Sequence, residues 1–132
     1  MKERTLVLIK PDGVKRRLIG KILSMYEEKD LEIIQLKIVD PDLNLIDFHY
    51  KEHITKPYFK DLERYFLEGP ICSIIIEGED AIQQVRNING KTDPKEAAMG
   101  TIRYMYGESK TRNLVHASDC KESAEREIKI WF

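Results

Sequence analysis

Hydrophobic and polar positions along this chain switch repeatedly between strand-type and helix-type spacing. Residues 5–9 are a continuous apolar run, as a central strand requires. Lys10-Pro11-Asp12-Gly13 ends it, because a residue before proline is held extended and Pro-Asp-Gly is turn chemistry. Lys10 therefore projects from the last position of a core strand. Val14, Leu18 and Ile22 then run beside Ile19, Leu23 and Tyr26, which predicts one amphipathic helix. Residues 31–39 predict a second strand, where Ile34, Leu36 and Ile38 alternate with Gln35 and Lys37 and leave one face wetter.

A polar-aromatic region over residues 43–68 predicts two short helices, separated where proline follows Lys56. Tyr50, His53, Tyr58 and Phe59 suggest an aromatic-lined cleft, with core packing the alternative for Tyr58 and Phe59. His49 and His53 stand four apart, a spacing that can hold zinc on a helix, but no third ligand of the right type lies nearby in sequence. Residues 71–77 predict a third, nearly all-apolar strand. Residues 79–88 predict a helix buried through Ala81, Ile82, Val85 and Ile88 that stops at Asn89-Gly90, with Arg86 off the apolar face. From 91 to 112 periodicity is lost. A stretch of that length without an element is usually functional, and it carries Thr92, Arg103, Lys110 and Arg112.

A short fourth strand holds His116. Asp119 and Glu122 then read as an N-cap and capping box. The helix after them puts Ala124, Glu127, Ile128 and Trp131 on one face. Glu127 is thus a carboxylate where a hydrophobe is expected, and it must find a partner, for which His116 is nearest. Such a pair is either a structural contact or a held nucleophile; on the residues alone the first is commoner.

The order β-α-β-(α,α)-β-α-loop-β-α contains a βαββαβ, ferredoxin-like arrangement. The fold class is α+β: a four-stranded antiparallel sheet covered by helices, plus a helical hairpin and a long loop before the last strand. The first and third strands should be central. One domain over residues 1–132 accounts for the whole chain.

Composition narrows the partners. With 22 basic and 23 acidic residues, no nucleic-acid partner is expected. No apolar run approaches the about 18–20 residues of a membrane span. The N-terminal residues pass straight into strand pattern without signal-peptide character, and two cysteines form neither a disulfide framework nor a metal spacing, so a cytoplasmic location is expected.

Gly90-Lys91-Thr92 looks like the end of a phosphate-binding loop, but valine occupies position 85 where that motif needs glycine. What remains is a set of cations, Lys10, Arg86 and Arg103 with Lys110 and Arg112 as further candidates, and one histidine. Phosphoryl transfer is mostly positioning plus stabilisation of spread negative charge. An imidazole with an ordinary pKa near neutrality attacks without a base to deprotonate it.

Asn113-x-x-His116-Ala117-Ser118-Asp119 resembles the active-site motif of nucleoside diphosphate kinases. The likeness continues through Ile9-Lys10-Pro11-Asp12-Gly13-Val14, His49-Tyr50-x-x-His53-x-x-Lys56-Pro57-Tyr58-Phe59, Gly100-Thr101-Ile102-Arg103 and Ser123-Ala124-Glu125-x-Glu127-Ile128-x-x-Trp131-Phe132. The resemblance implies γ-phosphate exchange between nucleoside triphosphates and diphosphates by a ping-pong route through phosphohistidine. It implies His116 as nucleophile, Glu127 as its orienting partner and Ser118 as the link to that carboxylate. Lys10 and Tyr50 match groups near the transferred phosphate and sugar hydroxyl. Arg86, Thr92 and Arg103 match phosphate ligands, His53 an α-phosphate contact, and Asn113 the ribose contact. Tyr58 matches a base-stacking aromatic with Leu62 near it, and Lys110 stands where many members carry an apolar residue against the base. Mg²⁺ would ride on the nucleotide phosphates without protein ligands, and the chain would form a homo-oligomer, hexamer rather than tetramer. The alternatives are a non-catalytic ferredoxin-like nucleotide-binding module, whose signature would be loss of His116, Lys10 or Arg103, or another histidine-phosphate enzyme.

Overall fold

The first apolar run is the spine of the sheet. It forms β1 (Lys2–Ile9), followed by α1 (Pro11–Lys15), α2 (Ile19–Glu27) and β2 (Glu32–Val39). Next come α3 (Leu43–His49), one 3₁₀ turn (Lys51–His53), α4 (Phe59–Phe66) and β3 (Ile71–Glu79). The chain closes with α5 (Ala81–Asn89), α6 (Ile102–Tyr106), β4 (Val115–Ala117) and α7 (Lys121–Trp131). The structure, a computed structural model, describes residues 2–132.

The four strands are ordered β2-β3-β1-β4 with every pairing antiparallel, so the first and third strands are central, as their apolar runs predicted. Alternation along β1 feeds two cores. Val7 and Ile9 pack with Ile22, Tyr26, Val85 and Ile102 on one face. Leu6 and Leu8 pack with Ile46, Tyr50, Phe66 and Trp131 on the other. Lys10 continues the parity of Leu6 and Leu8, and its ammonium lies 5.8 Å from the ring centres of Tyr65 and Phe66. The second core thus ends in a cation.

The elements depart from the sequence pattern in five places. Pro11-Asp12-Gly13 is the opening of α1 rather than a free turn; Pro11 needs no N–H partner there, and Asp12 accepts the Tyr65 hydroxyl. A Cβ on Gly13 would come 2.7 Å from Ile9 Cγ2, so glycine lets α1 lie against the strand it follows. The predicted single helix is two, broken where Arg17 takes a left-handed φ of 60°. In β2 a bulge between Ile33 and Gln35 shifts the register, and Leu36 and Ile38, expected on the drier face, are 42% and 55% exposed. The segment 91–112 contains α6, a helix of five residues with Ile102 buried; barely more than a turn is too short to declare a helical period.

The last helix begins one residue later than expected. Cys120 holds its N-cap position with no side-chain cap, so the Asp119–Glu122 capping box does not form. Asp119 instead meets the Ser123 hydroxyl, which holds its carboxyl below the usual range. The buried face of α7 is as predicted, with Ala124, Glu127 and Trp131 all covered.

Candidate active site

A cleft of about 950 Å³ opens where β1 ends, receiving side chains from the α3–α4 hairpin, α5, the 91–112 segment, β4 and α7. Lys10, Tyr50, His53, Leu62, Arg86, Thr92, Arg103, Lys110, Asn113, His116 and Glu127 all line it. Three expected cations and the histidine therefore share one space.

Register places the histidine. β4 pairs with the end of β1 so that His116 stands opposite Leu8, two residues before Lys10. The chain enters β4 through Leu114, a buried non-glycine residue at φ 76°. A left-handed leucine costs about 1–2 kcal/mol. Its carbonyl accepts the backbone N–H of Lys10 at 2.7 Å, which ties the two site residues together through main chain.

Glu127 anchors the imidazole. Its Oε1 accepts the Ser118 hydroxyl at 2.8 Å and lies 2.8 Å from His116 Nε2. A carboxylate only accepts, so Nε2 carries the proton and Nδ1 keeps its lone pair. The His116 side chain is 21% exposed, whereas that of Glu127 is 6% exposed. Ser118 is fully buried beneath the cleft and acts through Glu127. Arg126, which the sequence did not single out, sits 3.7 Å from Glu127 Oε2.

Lys10 and Arg103 are fixed as firmly. Lys10 Nζ donates to Asn113 Oδ1 at 2.9 Å, while Asn113 Nδ2 donates to the carbonyls of Thr92 (3.0 Å) and Lys110 (2.9 Å). Burial, aided by the neighbouring Arg103 charge and opposed by Asp12, pulls the Lys10 ammonium down to about 7. Arg103 donates to the carbonyls of Gly90 (2.7 Å) and Val115 (2.6 Å). Its Nε is buried with no hydrogen-bond partner among the described residues. Gly90 stands at φ 88°, and a Cβ there would fall 2.5 Å from Thr101 Oγ1, so this turn requires glycine. Burial lowers Arg103 to about 10, which leaves it a cation at neutral pH. Burial and the Glu127 carboxylate push the Tyr50 hydroxyl above its ordinary range, so it remains a donor.

Some expectations fail. Arg112 pairs with Glu68 over the Tyr65 ring and lies outside the cleft. Phe59 is core, and Tyr58, 49% exposed, does not line the cleft; its hydroxyl meets His53 Nδ1 at 2.6 Å. Gln83 and Asn87 line the cleft beside Arg86 and were missed, although i, i+3, i+4 spacing puts all three on the polar face of α5.

The zinc possibility changes partners and then fails on chemistry. Among the described residues, His49, His116 and Glu127 bring donor atoms within 4.8 Å of one another; His53 is not part of the group. His49 Nδ1, however, accepts the Trp131 indole N–H at 2.9 Å. A metal on Nε2 would require a proton on Nδ1, facing another donor. The cluster is ordered for hydrogen bonding, and its open lone pair is that of His116.

Comparisons with known proteins agree with this geometry. The family model described as nucleoside diphosphate kinase matches residues 3–132. The chain is 50% identical over 130 residues to the nucleoside diphosphate kinase of Caldanaerobacter subterraneus subsp. tengcongensis, covering 98% of this chain and 94% of that one. It is 48% identical over 132 residues to that of Methanosphaera stadtmanae, covering 100% and 87%. Among solved structures, the Aquifex aeolicus nucleoside diphosphate kinase superposes with a TM-score of 0.97 at 38% identity, over 100% of this chain and 96% of that one. The Halobacterium salinarum enzyme in complex with CDP gives 0.96 at 43% identity, over 100% and 88%.

Proposed function

The chain belongs to the nucleoside diphosphate kinase family, and from that premise we propose how its own residues perform the reaction. The protein is a phosphotransferase that moves the γ-phosphate of a nucleoside triphosphate to a nucleoside diphosphate. The fold is the α+β, ferredoxin-like one expected, and the non-catalytic alternative is not favoured.

His116 Nδ1 attacks the γ-phosphorus; a P–N bond forms, the bond to the β-bridging oxygen breaks, and the first diphosphate leaves. A terminal oxygen of the second diphosphate then attacks the same phosphorus, the P–N bond breaks, and the imidazole is regenerated. Arg103, Arg86, Lys10 and Thr92 bind the phosphates, and the charge spread over the transferring oxygens is what these donors stabilise. Glu127, held by Ser118, keeps the proton on Nε2 and offsets the positive charge that the ring gains. Tyr50 and Asn113 contact the sugar, His53 the α-phosphate, and Leu62 and Lys110 the base, with Tyr58 outside the cleft unless the hairpin closes. The observation that carries this reading is the 2.8 Å contact that ties Nε2 to Glu127 and leaves Nδ1 for the cleft.

Mg²⁺ would be held through the nucleotide phosphates and would neutralise charge there. The donor set supports this, since Glu52, Glu96 and Asp119 line the cleft without forming, among the described residues, a group of close donors. No helix is long and apolar enough to cross a membrane. Unpaired thiols at Cys72 and Cys120 support a reducing, cytoplasmic setting, and the apolar edge at Leu36 and Ile38 supports a homo-oligomer. The match from residue 3 to 132 supports one domain over 1–132.

The test is labelling with γ-labelled ATP followed by a chase of unlabelled GDP. Acid-labile label that leaves the protein as GTP supports the reading. No label would mean a binding module, and label released as inorganic phosphate a different histidine-phosphate enzyme.

A further inference from the structure

His49 has no part in the roles above, yet its ring packs against that of His116 with centroids 4.4 Å apart and planes at 80°. It is 3% exposed, at the end of α3 and next to Tyr50. We propose that His49 is a positioning residue for phosphoryl transfer: its ring, oriented by the Trp131 indole, fixes the ring plane of His116 while Glu127 fixes the Nε2 edge. This rests on the reading of His116 as nucleophile.

His49 has one orientation. The Trp131 side chain is almost wholly buried, so its N–H must find an acceptor, and it donates to His49 Nδ1 at 2.9 Å. A flipped ring would present carbon to that donor. Helix α7 also holds the nucleophile twice. Glu127 and Trp131 lie one helical turn apart on the same buried face; the first grips His116 directly, and the second grips it through His49.

Charge favours the same role. Burial holds His49 well below the ordinary imidazole range, and His116, Arg126, Lys10 and His53 push the same way. Tyr50 packs edge-on at 4.6 Å and stays neutral, and Glu127 is an anion in the same cluster. The wall beside the nucleophile is therefore polar, fixed and uncharged. A second cation at that place would hinder formation of the cationic phosphoimidazole.

The experiment is rapid-quench phosphoenzyme formation from γ-labelled ATP, with the full chain, against pH. His49→Ala should slow the step by about 10–100-fold, the scale of an ångström's misplacement, while KM for the nucleotide changes by less than about threefold. His49→Phe keeps a ring without the acceptor and should lose about three- to tenfold. Trp131→Phe removes the donor to Nδ1, makes His49 easier to protonate, and should move the acid limb of the rate profile up by about half a pH unit or more. Trp131→Phe on the His49→Phe background should leave the limb where it is. Wild-type rates and an unmoved acid limb in His49→Phe and Trp131→Phe would overturn the proposal. So would losses that merely track the folded fraction by circular dichroism while the limb stays fixed. Label persisting in His116→Ala would instead overturn the nucleophile reading, which keeps the two failures distinct.

Discussion

The floor and the outer wall of the cleft are built on different terms. At the floor, Glu127 accepts Ser118 and His116 at 2.8 Å each, Arg103 is tied to two backbone carbonyls, and Lys10 is tied to Asn113. On the wall, Tyr58 is 49% exposed and reaches back to His53, while Lys110 is exposed and Leu62 half-buried. His116, Lys10 and Arg103, the groups proposed to meet the reacting phosphate at the floor, are thus fixed before a nucleotide arrives. Those that would meet the base are left to adjust. Stabilising a transition state depends on donors that need no rearrangement, whereas accepting different bases tolerates slack.

That contrast can be broken by substitution. The largest effect falls on the floor: His116→Ala should reduce phosphoenzyme to background while leaving the circular dichroism spectrum unchanged. Arg103→Ala follows, with kcat/KM lower by about 10²–10³-fold, the cost of removing a donor aimed at developing charge. It should also destabilise the fold by about 1–3 kcal/mol in urea unfolding, because the Gly90 and Val115 carbonyls lose their partner. Glu127→Ala should slow phosphoenzyme formation by about 10²-fold and loosen α7, read as faster amide exchange along that helix.

Lys10 gives a subtler test. Its ammonium titrates at about 7 in the free protein, so at a pH above that it is largely neutral. A polyphosphate favours the charged form, and binding must raise that value again. Nucleotide binding should therefore take up protons above neutrality and weaken as pH rises. Calorimetry in two buffers of different ionisation enthalpy measures the uptake. Proton release, or none, would mean that Lys10 does not face the phosphates.

The smallest effect belongs to the wall. Tyr58→Ala should raise nucleotide KM by no more than about fivefold, the low end of a stacking contact, with kcat unchanged. A loss of about a hundredfold would mean that the hairpin swings Tyr58 over the base, and the wall would then matter to binding as much as the floor does.

What the sequence made legible follows the same division. Strands β1 and β3 announce themselves because residues buried on both faces must all be apolar, as Leu6 to Ile9 and Ile74 to Ile76 are. Glu127 was conspicuous because helical spacing put a carboxylate among buried positions, and its partner lay 11 residues away. Local spacing says little about contacts formed across the fold. His49 and Trp131 are 82 residues apart, and neither declares the other. The two carbonyls that hold Arg103 belong to backbone, which carries no side-chain signature. The β2 bulge and the left-handed Arg17 are properties of main-chain geometry at residues that favour neither. Family motifs supplied the roles of Thr92 and Asn113 that spacing alone could not.

Nitrogen-15 NMR of the His116 side chain, before and after phosphorylation by ATP, tests the preassembled floor most directly. The account predicts that the nucleotide-free imidazole carries its proton on Nε2 at neutral pH, and that phosphorus coupling then appears at Nδ1 of the same ring. A free ring protonated on Nδ1, or phosphorus coupled to Nε2 or to another histidine, would contradict it.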